Sequence, residues 1–205
     1  MKAKFTLVAL LSFLILAPMV QNAYAERPER MYYSFNTGAS FLNDMTIKSK
    51  QFENEKVTFR TGYLFAGSFG YRILDHVRIE AELSYRKNKI DKVDGISEGG
   101  EMYSTSGMIN GFWDFLNPSS FTPYLGAGVG WSSVKAKGAN VDNSSEGVAA
   151  QAIAGISYDI NPTYALTFDY RFFTTKDPEF RNLQGEKGKG KYQNNSVTAG
   201  LRVSW

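Results

Sequence analysis

The sequence predicts an all-β fold, an eight-stranded antiparallel up-and-down β-barrel that crosses a membrane. Three observations predict it. Apolar and polar residues alternate with a period of two in eight separate stretches, the pattern of strands with one apolar and one polar face. Aromatic residues make up 15% of the chain and glycine occurs 19 times, a composition that favours strands and tight turns. The connections between the stretches alternate between short and long, as they do in membrane barrels.

The N-terminal segment has the pattern of a secretory signal peptide. Two lysines precede an apolar run over residues 5–16, and small residues around Ala25 suit signal peptidase. The alternative is an N-terminal anchor that stays in place, but the run is shorter than the about 20 residues that a membrane helix needs. We therefore predict that residues 1–25 are a signal peptide and that residues 26–205 form the exported barrel domain.

The eight predicted strands follow one another with little interruption. They span residues 31–42, 57–71, 77–86, 103–115, 121–133, 148–160, 164–173 and 196–205. In the first five, the odd-numbered positions carry most of the apolar residues, and the even-numbered positions carry small, polar or charged residues. The sixth and seventh strands reverse this parity, and the eighth returns to it. The third strand shows the alternation most clearly, with Val77 and Ile79 on one face and Arg78 on the other.

The connections separate the two ends of the predicted barrel. Three are short and have turn-type sequences, around Leu74-Asp75, at residues 117–120 and at residues 161–162. The other four are long and polar, and they span about residues 43–56, 87–101, 135–147 and 174–195. Short turns at one end and long loops at the other are typical of outer-membrane barrels, whose turns lie in the periplasm. We therefore expect four loops at the cell surface and both termini in the periplasm.

Two all-β folds fit eight alternating strands, and they differ in which face is outside. A soluble lipocalin-like barrel hides its apolar face, whereas a membrane barrel turns that face to lipid. Small residues and charges of both signs on the polar face fit the narrow lumen of an eight-stranded barrel, which favours the membrane barrel. The charges expected to pair in the lumen are Arg78, Glu80, Glu82, Arg86, Asp114, Asp169, Arg171 and Arg202. The aromatic residues expected in interfacial girdles include Tyr71, Trp113, Tyr158, Tyr164 and Trp205.

Two segments resemble a known group of proteins. The run Pro-Tyr-Leu-Gly-Ala-Gly-Val-Gly over residues 123–130 is similar to the fifth-strand motif of small eight-stranded outer-membrane β-barrels of Gram-negative bacteria. This group includes the OmpA-type transmembrane domain and related porin-like surface proteins. The last strand alternates apolar residues, among them Leu201 and Val203, and ends in the aromatic Trp205. The resemblance implies a location in the outer membrane and a last strand that the barrel-assembly machinery recognises. The terminal residue is usually Phe in this group, so Trp205 is a departure.

Catalysis and ligand chemistry find little support in the sequence. The absence of Cys excludes disulfides and thiolate sites, and one His excludes a His-rich metal site. His76 lies in a predicted turn with no Ser at a suitable spacing for a hydrolytic pair. Glu80 and Glu82 could act as paired carboxylates, but arginines on the same polar face, Arg202 among them, favour an internal salt-bridge network. The alternating glycines at 126, 128 and 130 lack the helix and lysine of a phosphate loop. We expect no enzyme activity, no metal and no cofactor.

The predicted function is structural or interactive at the cell surface, through adhesion or envelope stabilisation. The expected partners are outer-membrane lipids and lipopolysaccharide, the barrel-assembly machinery and host surface molecules, with the barrel itself a monomer. The last long loop carries several basic residues, which could contact lipopolysaccharide phosphates or belong to a solvated loop. They are Lys176, Arg181, Lys187, Lys189 and Lys191. The net charge of +3 is too small to indicate binding to nucleic acid. A narrow channel and a lipid A-modifying enzyme are the alternatives.

Overall fold

The structure is a computed structural model that describes residues 30–47, 55–93, 99–138, 141–175, 179–181, 187–189 and 192–205. The predicted signal peptide, residues 1–25, lies outside the described residues and stays a prediction. Among the residues described, no helix is long and apolar enough to span a membrane. The strands are β1 (Met31–Leu42), β2 (Met45–Ile47), β3 (Glu55–Phe59), β4 (Gly62–Leu74), β5 (Val77–Val93), β6 (Gly100–Asp114), β7 (Phe121–Gly138), β8 (Val141–Asp159), β9 (Tyr164–Thr175), β10 (Glu179–Arg181), β11 (Lys187–Lys189) and β12 (Gln193–Ser204).

Eight of these strands close into one antiparallel barrel, which confirms the predicted fold class. Around the barrel the order is β1, β4, β5, β6, β7, β8, β9 and β12, and each strand is hydrogen-bonded to the next. β12 pairs back onto β1 along a register that runs from Tyr32↔Ser204 to Leu42↔Asn194. The first and last strands of the barrel therefore leave no open edge. The short strands form two small hairpins: β2–β3, in which β3 also pairs with β5, and β10–β11.

The two ends of the barrel differ. At the turn end, residues 75–76, 115–120 and 160–163 join neighbouring strands. Asparagine side chains shape two of these turns: Asn117 Oδ1 accepts a hydrogen bond from the Ser119 amide at 2.9 Å. Asn161 Oδ1 does the same for the Tyr164 amide at 2.8 Å. At the opposite end, the loop end, the strands run further, and the connections are residues 43–61 with the β2–β3 hairpin, residues 94–99, residues 139–140 and residues 176–192. Short turns are periplasmic in outer-membrane barrels, so the loop end is expected to face outward.

The two faces of the barrel wall have opposite chemistry. Phe35 and Leu83 on the outer face are 62% and 72% exposed, whereas Arg78 and Glu82 on the inner face are 0% and 2% exposed. A soluble barrel would show the reverse, because water and not lipid would surround it. The outer face thus confirms the membrane barrel over the lipocalin-like alternative.

Three strands of the barrel run further at the loop end than the sequence indicated. The expected loops over residues 87–101 and 135–147 are in large part strand, because β5 continues to Val93 and the β7–β8 ladder reaches the pair Gly138↔Val141. The β5 and β8 extensions have no apolar face, and the β7 extension turns its apolar residues, Val134 and Ala136, to the inside. The outward-facing apolar alternation therefore stops although the backbone pairing persists. The expected strand over residues 57–71 is likewise two strands, β3 and β4, separated by Arg60 and Thr61.

Side chains fill the lumen in layers. An apolar cluster occupies the loop end, and its buried members are Leu42, Met102, Met108, Val134, Ala136, Ala149, Phe173 and Tyr192. Charged residues follow toward the turn end, next to a smaller apolar cluster of Phe112, Tyr124 and Ile153. The glycine run of β7 faces this interior: a Cβ at Gly126 would lie 2.5 Å from the Phe112 ring. These glycines are there because β6 side chains fill the space beside them.

Candidate functional site

The sequence-predicted lumen charges all lie on the inner face. Each of Arg78, Glu80, Glu82, Arg86, Asp114, Asp169, Arg171 and Arg202 is at most 4% exposed. β5 supplies four of them, β9 supplies two, and β6 and β12 supply one each. A further buried arginine, Arg72, was not predicted, because the sequence placed it in a turn. The parity of its strand could have revealed it, since Ser68, Gly70 and Arg72 continue the even-numbered inner face of β4.

Nearest the turn end, Asp114 is the centre of one charge cluster. It accepts hydrogen bonds from Arg78 Nε at 2.8 Å and from Arg72 Nη1 at 3.1 Å. Arg78 also contacts Glu80, with Nη1 and Oε1 3.1 Å apart. The Tyr32 hydroxyl donates to the same carboxylate at 2.7 Å. Two carboxylates and two arginines therefore neutralise each other in a space closed to bulk water, where an unpaired charge would be costly.

Glu82 belongs to a second cluster, in which Arg171 is its ion-pair partner. Arg171 Nη1 lies 2.6 Å from Glu82 Oε2, and Arg171 Nη2 lies 2.8 Å from Asp169 Oδ2. The Tyr124 hydroxyl donates to Asp169 as well. Asn110 Nδ2 donates to Glu82 at 3.2 Å. The cluster thus joins β5 to β9 across the lumen, and Arg171 rather than Arg202 pairs with Glu82.

Two lumen arginines make no ion pair within the described part of the chain. The Arg86 guanidinium lies 4.1 Å from the centre of the Phe173 ring and donates to Ser84 Oγ at 2.9 Å. Its Nε and Nη2 have no hydrogen-bond partner. Arg202 lies 5.1 Å from the centre of the Tyr32 ring, and its Nε is also unpartnered. The five arginines and four carboxylates described inside the barrel leave one positive charge, which aromatic faces stabilise.

A small cavity of about 10 Å³ lies between the charge clusters of the described lumen, bordered by Glu80, Tyr124, Asp169, Arg171 and Arg202. A volume of this size holds about one water molecule. Among the residues described, no group of three or more His, Asp or Glu side chains could hold a metal ion. The clusters are suited to neutralising buried charge and rigidifying the barrel.

The His76 ring packs on the outer face of the barrel. It occupies the turn between β4 and β5, and its ring lies 4.3 Å from that of Trp113 on the outer face. Its carbonyl oxygen accepts a hydrogen bond from the Asp114 amide at 2.8 Å. The imidazole therefore packs against a lipid-facing aromatic residue at the turn end.

The predicted girdle residues lie on the outer face. Trp113, Tyr164 and Trp205 are exposed near the turn end, with Leu201 beside them. Val203 and Tyr71 are half-buried on the same face. The Trp205 ring packs 4.5 Å from that of Tyr33, and its amide donates to the Met31 carbonyl oxygen at 3.0 Å. Trp205 therefore contacts β1 at the seam where the barrel closes.

The whole arrangement, a closed eight-stranded wall with an apolar outside and a charged inside, matches a known family. Residues 6–204 match the family described as "Outer membrane protein beta-barrel domain". The chain belongs to this family. As an outer membrane protein beta-barrel, it is located in the outer membrane, which confirms the location and the group of proteins expected from the sequence.

Two relatives carry names that describe surface proteins. The outer membrane protein PagN of Salmonella typhimurium is 31% identical over 137 residues, which cover 56% of this chain and 57% of PagN. The chain thus spans little more than half the length of PagN. The protein named "Putative adhesin RC1281", from Rickettsia conorii, is 26% identical over 200 residues, covering 83% of this chain and 80% of that protein.

Solved structures show the same fold at low sequence identity. Neisserial surface protein A has a TM-score of 0.57 and 22% identity, and the match covers 85% of this chain and 97% of that one. The outer membrane protein AlkL, solved by solid-state NMR in lipid bilayers, has a TM-score of 0.58 and 14% identity, with coverage of 93% and 97%. OprG of Pseudomonas aeruginosa has a TM-score of 0.56 and 15% identity, with coverage of 85% and 97%.

Proposed function

We propose that this outer-membrane barrel is a non-catalytic scaffold that presents its loop end to surface molecules of host cells, as an adhesin does. The observation that carries the proposal is the length of three strands on one side of the barrel. β5, β7 and β8 have 17, 18 and 19 residues, whereas about 9–11 residues cross a bilayer. Paired β-structure therefore continues beyond the lipid and holds a rigid platform above it.

The filled lumen supports a scaffold function rather than a channel function. Buried arginines, carboxylates and an apolar cluster occupy the described interior, and the small cavity holds about one water molecule. A continuous water path needs more space than eight strands enclose. The packing of the His76 ring against Trp113 on the outer face also supports a role other than hydrolysis of lipid A.

The similarity to a protein named as an adhesin supports the same proposal, since that match covers 80% of its length. We also propose that the barrel is a monomer, that lipopolysaccharide and other outer-membrane lipids surround it, and that the barrel-assembly machinery inserts it. The barrel-assembly role of the last strand, ending in Trp205, belongs to this proposal.

Adhesion is testable on whole cells. The chain is expressed in a Gram-negative strain that does not adhere, and binding to cultured epithelial cells is counted. The variant replaces residues 48–54, 94–98 and 176–191 with short Gly-Ser turns and keeps the barrel and the β7–β8 hairpin. We expect adherence with the intact chain and adherence at the vector level with the variant. Equal adherence of the two, at equal amounts of heat-modifiable protein, would contradict the proposal.

A further inference from the structure

A group of lysines lies on one side of the outer wall. Four lysines have described side chains, Lys87, Lys89, Lys135 and Lys137, and all four face outward on β5 and β7 near the loop end. β6 lies between these strands. The cross-strand register aligns Lys87, Tyr103 and Lys135 in one row and Lys89, Glu101 and Lys137 in the next. We call these four residues the lysine wall.

The spacing of the lysine wall suits a ligand with more than one anionic group. Neighbouring strands lie about 4.8 Å apart, so the two lysines of a row are separated by about 10 Å across β6. Two positions along a strand add about 7 Å. Flexible lysine stems extend the ammonium groups across this area, and each ammonium can bind a phosphate as a point charge.

The lysine wall lies directly above the apolar belt. Tyr63, Tyr85 and Tyr103 stand side by side on β4, β5 and β6, with ring centres 6.4 Å and 6.2 Å apart. Such aromatic bands mark the membrane interface. Below them the same wall carries exposed apolar residues, among them Leu83 and Val129. The lysines are therefore at headgroup level, with a surface for acyl chains directly beneath them.

Acidic residues compensate part of the charge of the lysine wall. Glu101 is the carboxylate within it, and its Oε1 lies 2.8 Å from Lys87 Nζ. Lys89, Lys135 and Lys137 make no ion pair in the described part of the chain. Of the flanking acids, Asp91 is held by Arg60 at 2.7 Å, whereas Glu146 faces Ser133 and Asp142 faces Lys137 in the register of β7 and β8. Glu101 also lies opposite Lys89 and Lys137 in the register, so four lysines and these acidic residues leave a net positive charge on this side of the wall.

We propose that the lysine wall binds the phosphorylated sugar headgroup of one lipopolysaccharide molecule, whose acyl chains lie along the apolar surface of β5, β6 and β7. Lipopolysaccharide is chosen because the site faces the outer leaflet and combines several cations with a lipid-facing surface. The inference rests on the outer-membrane location and on lipopolysaccharide as a proposed partner. It does not depend on adhesion, so either proposal can fail alone.

The test measures lipid binding to the full barrel by native mass spectrometry from detergent. The probes are bisphosphorylated lipid A, lipid A without phosphates, phosphatidylglycerol and inorganic phosphate. The variant is K89Q/K135Q/K137Q. The matched control, K187Q/K189Q/K191Q, removes the same charge from the connection between β9 and β12. A third variant, K89R/K135R/K137R, retains the charge. Heat-modifiability confirms folding, and the single variants K135Q and K137Q replace the triple variant if it fails to fold.

We expect wild type, the control and the arginine variant to bind bisphosphorylated lipid A equally. The glutamine variant should bind it at least about ten-fold more weakly, since each basic residue contributes to attraction for anionic lipid. Lipid A without phosphates should show no difference between the chains. Unchanged binding by the glutamine variant, an equal loss in the control, or tighter binding of phosphatidylglycerol or inorganic phosphate than of lipid A would overturn the proposal.

Discussion

At the scale of single residues, Glu82 is the carboxylate whose loss should weaken the barrel most clearly. It lies 2.6 Å from Arg171 and accepts a hydrogen bond from Asn110. Removing one partner of a buried pair typically costs about 3–5 kcal/mol, and water in the lumen reduces that cost. We expect Glu82→Ala to lower the urea midpoint of unfolding in micelles. The control Glu101→Ala removes an exposed ion pair, which contributes about 0–1 kcal/mol. Equal midpoints for wild type and Glu82→Ala would show that Glu82 has another role.

The two kinds of lumen arginine should respond differently to the same substitution. Arg78 holds two carboxylates, whereas Arg86 makes no ion pair in the described chain and lies against Phe173. Arg78→Met leaves buried carboxylates without their partner, so we expect a loss of about 3–5 kcal/mol in the free energy of unfolding. Arg86→Met removes two unpartnered donors together with the Nη1 hydrogen bonds to Ser84 and Ser106, and it retains apolar contact with Phe173, so we expect a change within about 1 kcal/mol. Denaturant titration of both variants in one detergent measures the difference, and a larger loss for Arg86→Met would contradict this account.

The face of each lumen residue could be predicted from the sequence, but its partner could not. Parity along a strand assigns a side chain to the inside or the outside. The partner of Glu82 lies on β9, which is not a neighbour of β5 in the barrel order. Such contacts across the lumen depend on strand tilt and stagger, and a local pattern carries no information about either.

At the scale of elements, apolar alternation located the membrane part of each strand and missed what lies beyond it. The start and end of β1 agree with the expectation, because both lie within the alternating region. β8 begins seven positions earlier than expected, at Val141 instead of Val148. Its first residues are mostly polar, as in the pair Lys135↔Ser144, so the backbone ladder continues there without an apolar alternation in the β8 sequence. The same limit explains why β5 and β7 are longer than expected.

Deletion of Trp205 from the last strand tests whether this residue acts in barrel assembly or in barrel stability. Trp205 contacts Tyr33 and bonds to the Met31 carbonyl oxygen, so it covers the seam of β12 and β1. Its neighbours in the girdle, such as Phe69, retain most of the interfacial contact when it is absent. We expect deletion of Trp205 to reduce outer-membrane yield in cells far more than it lowers the stability of barrel refolded in detergent. Equal yields of heat-modifiable protein from the wild-type gene and the truncated gene would show that Trp205 is a membrane anchor and has no role in assembly.

At the scale of the whole molecule, the filled lumen should block ion flow. The charge clusters and the apolar cluster at the loop end lie in series along the described interior. We expect purified barrel in planar bilayers to show no steady conductance above the bare membrane. Glu82→Ala shortens a side chain inside the filled lumen and serves as the comparison. We expect this variant to show at most rare channel openings. A stable unit conductance in the wild-type chain would favour the narrow channel that the sequence left as an alternative.

The orientation of the barrel is the central claim, because adhesion and lipopolysaccharide binding both need the loop end outside. The chain has no Cys, so single cysteines report position without background. The outward set is Lys50→Cys, Ser97→Cys, Ala139→Cys and Glu186→Cys, and the inward set is Asn117→Cys and Asn161→Cys. Ser97 rather than Lys92 reports the second connection, because β5 continues to Val93. Intact cells are treated with a membrane-impermeant maleimide, and lysed cells show that every cysteine can react. We expect the outward set to label on intact cells and the inward set only after lysis. Labelling of Asn117→Cys and Asn161→Cys on intact cells, with the outward set protected, would contradict the orientation.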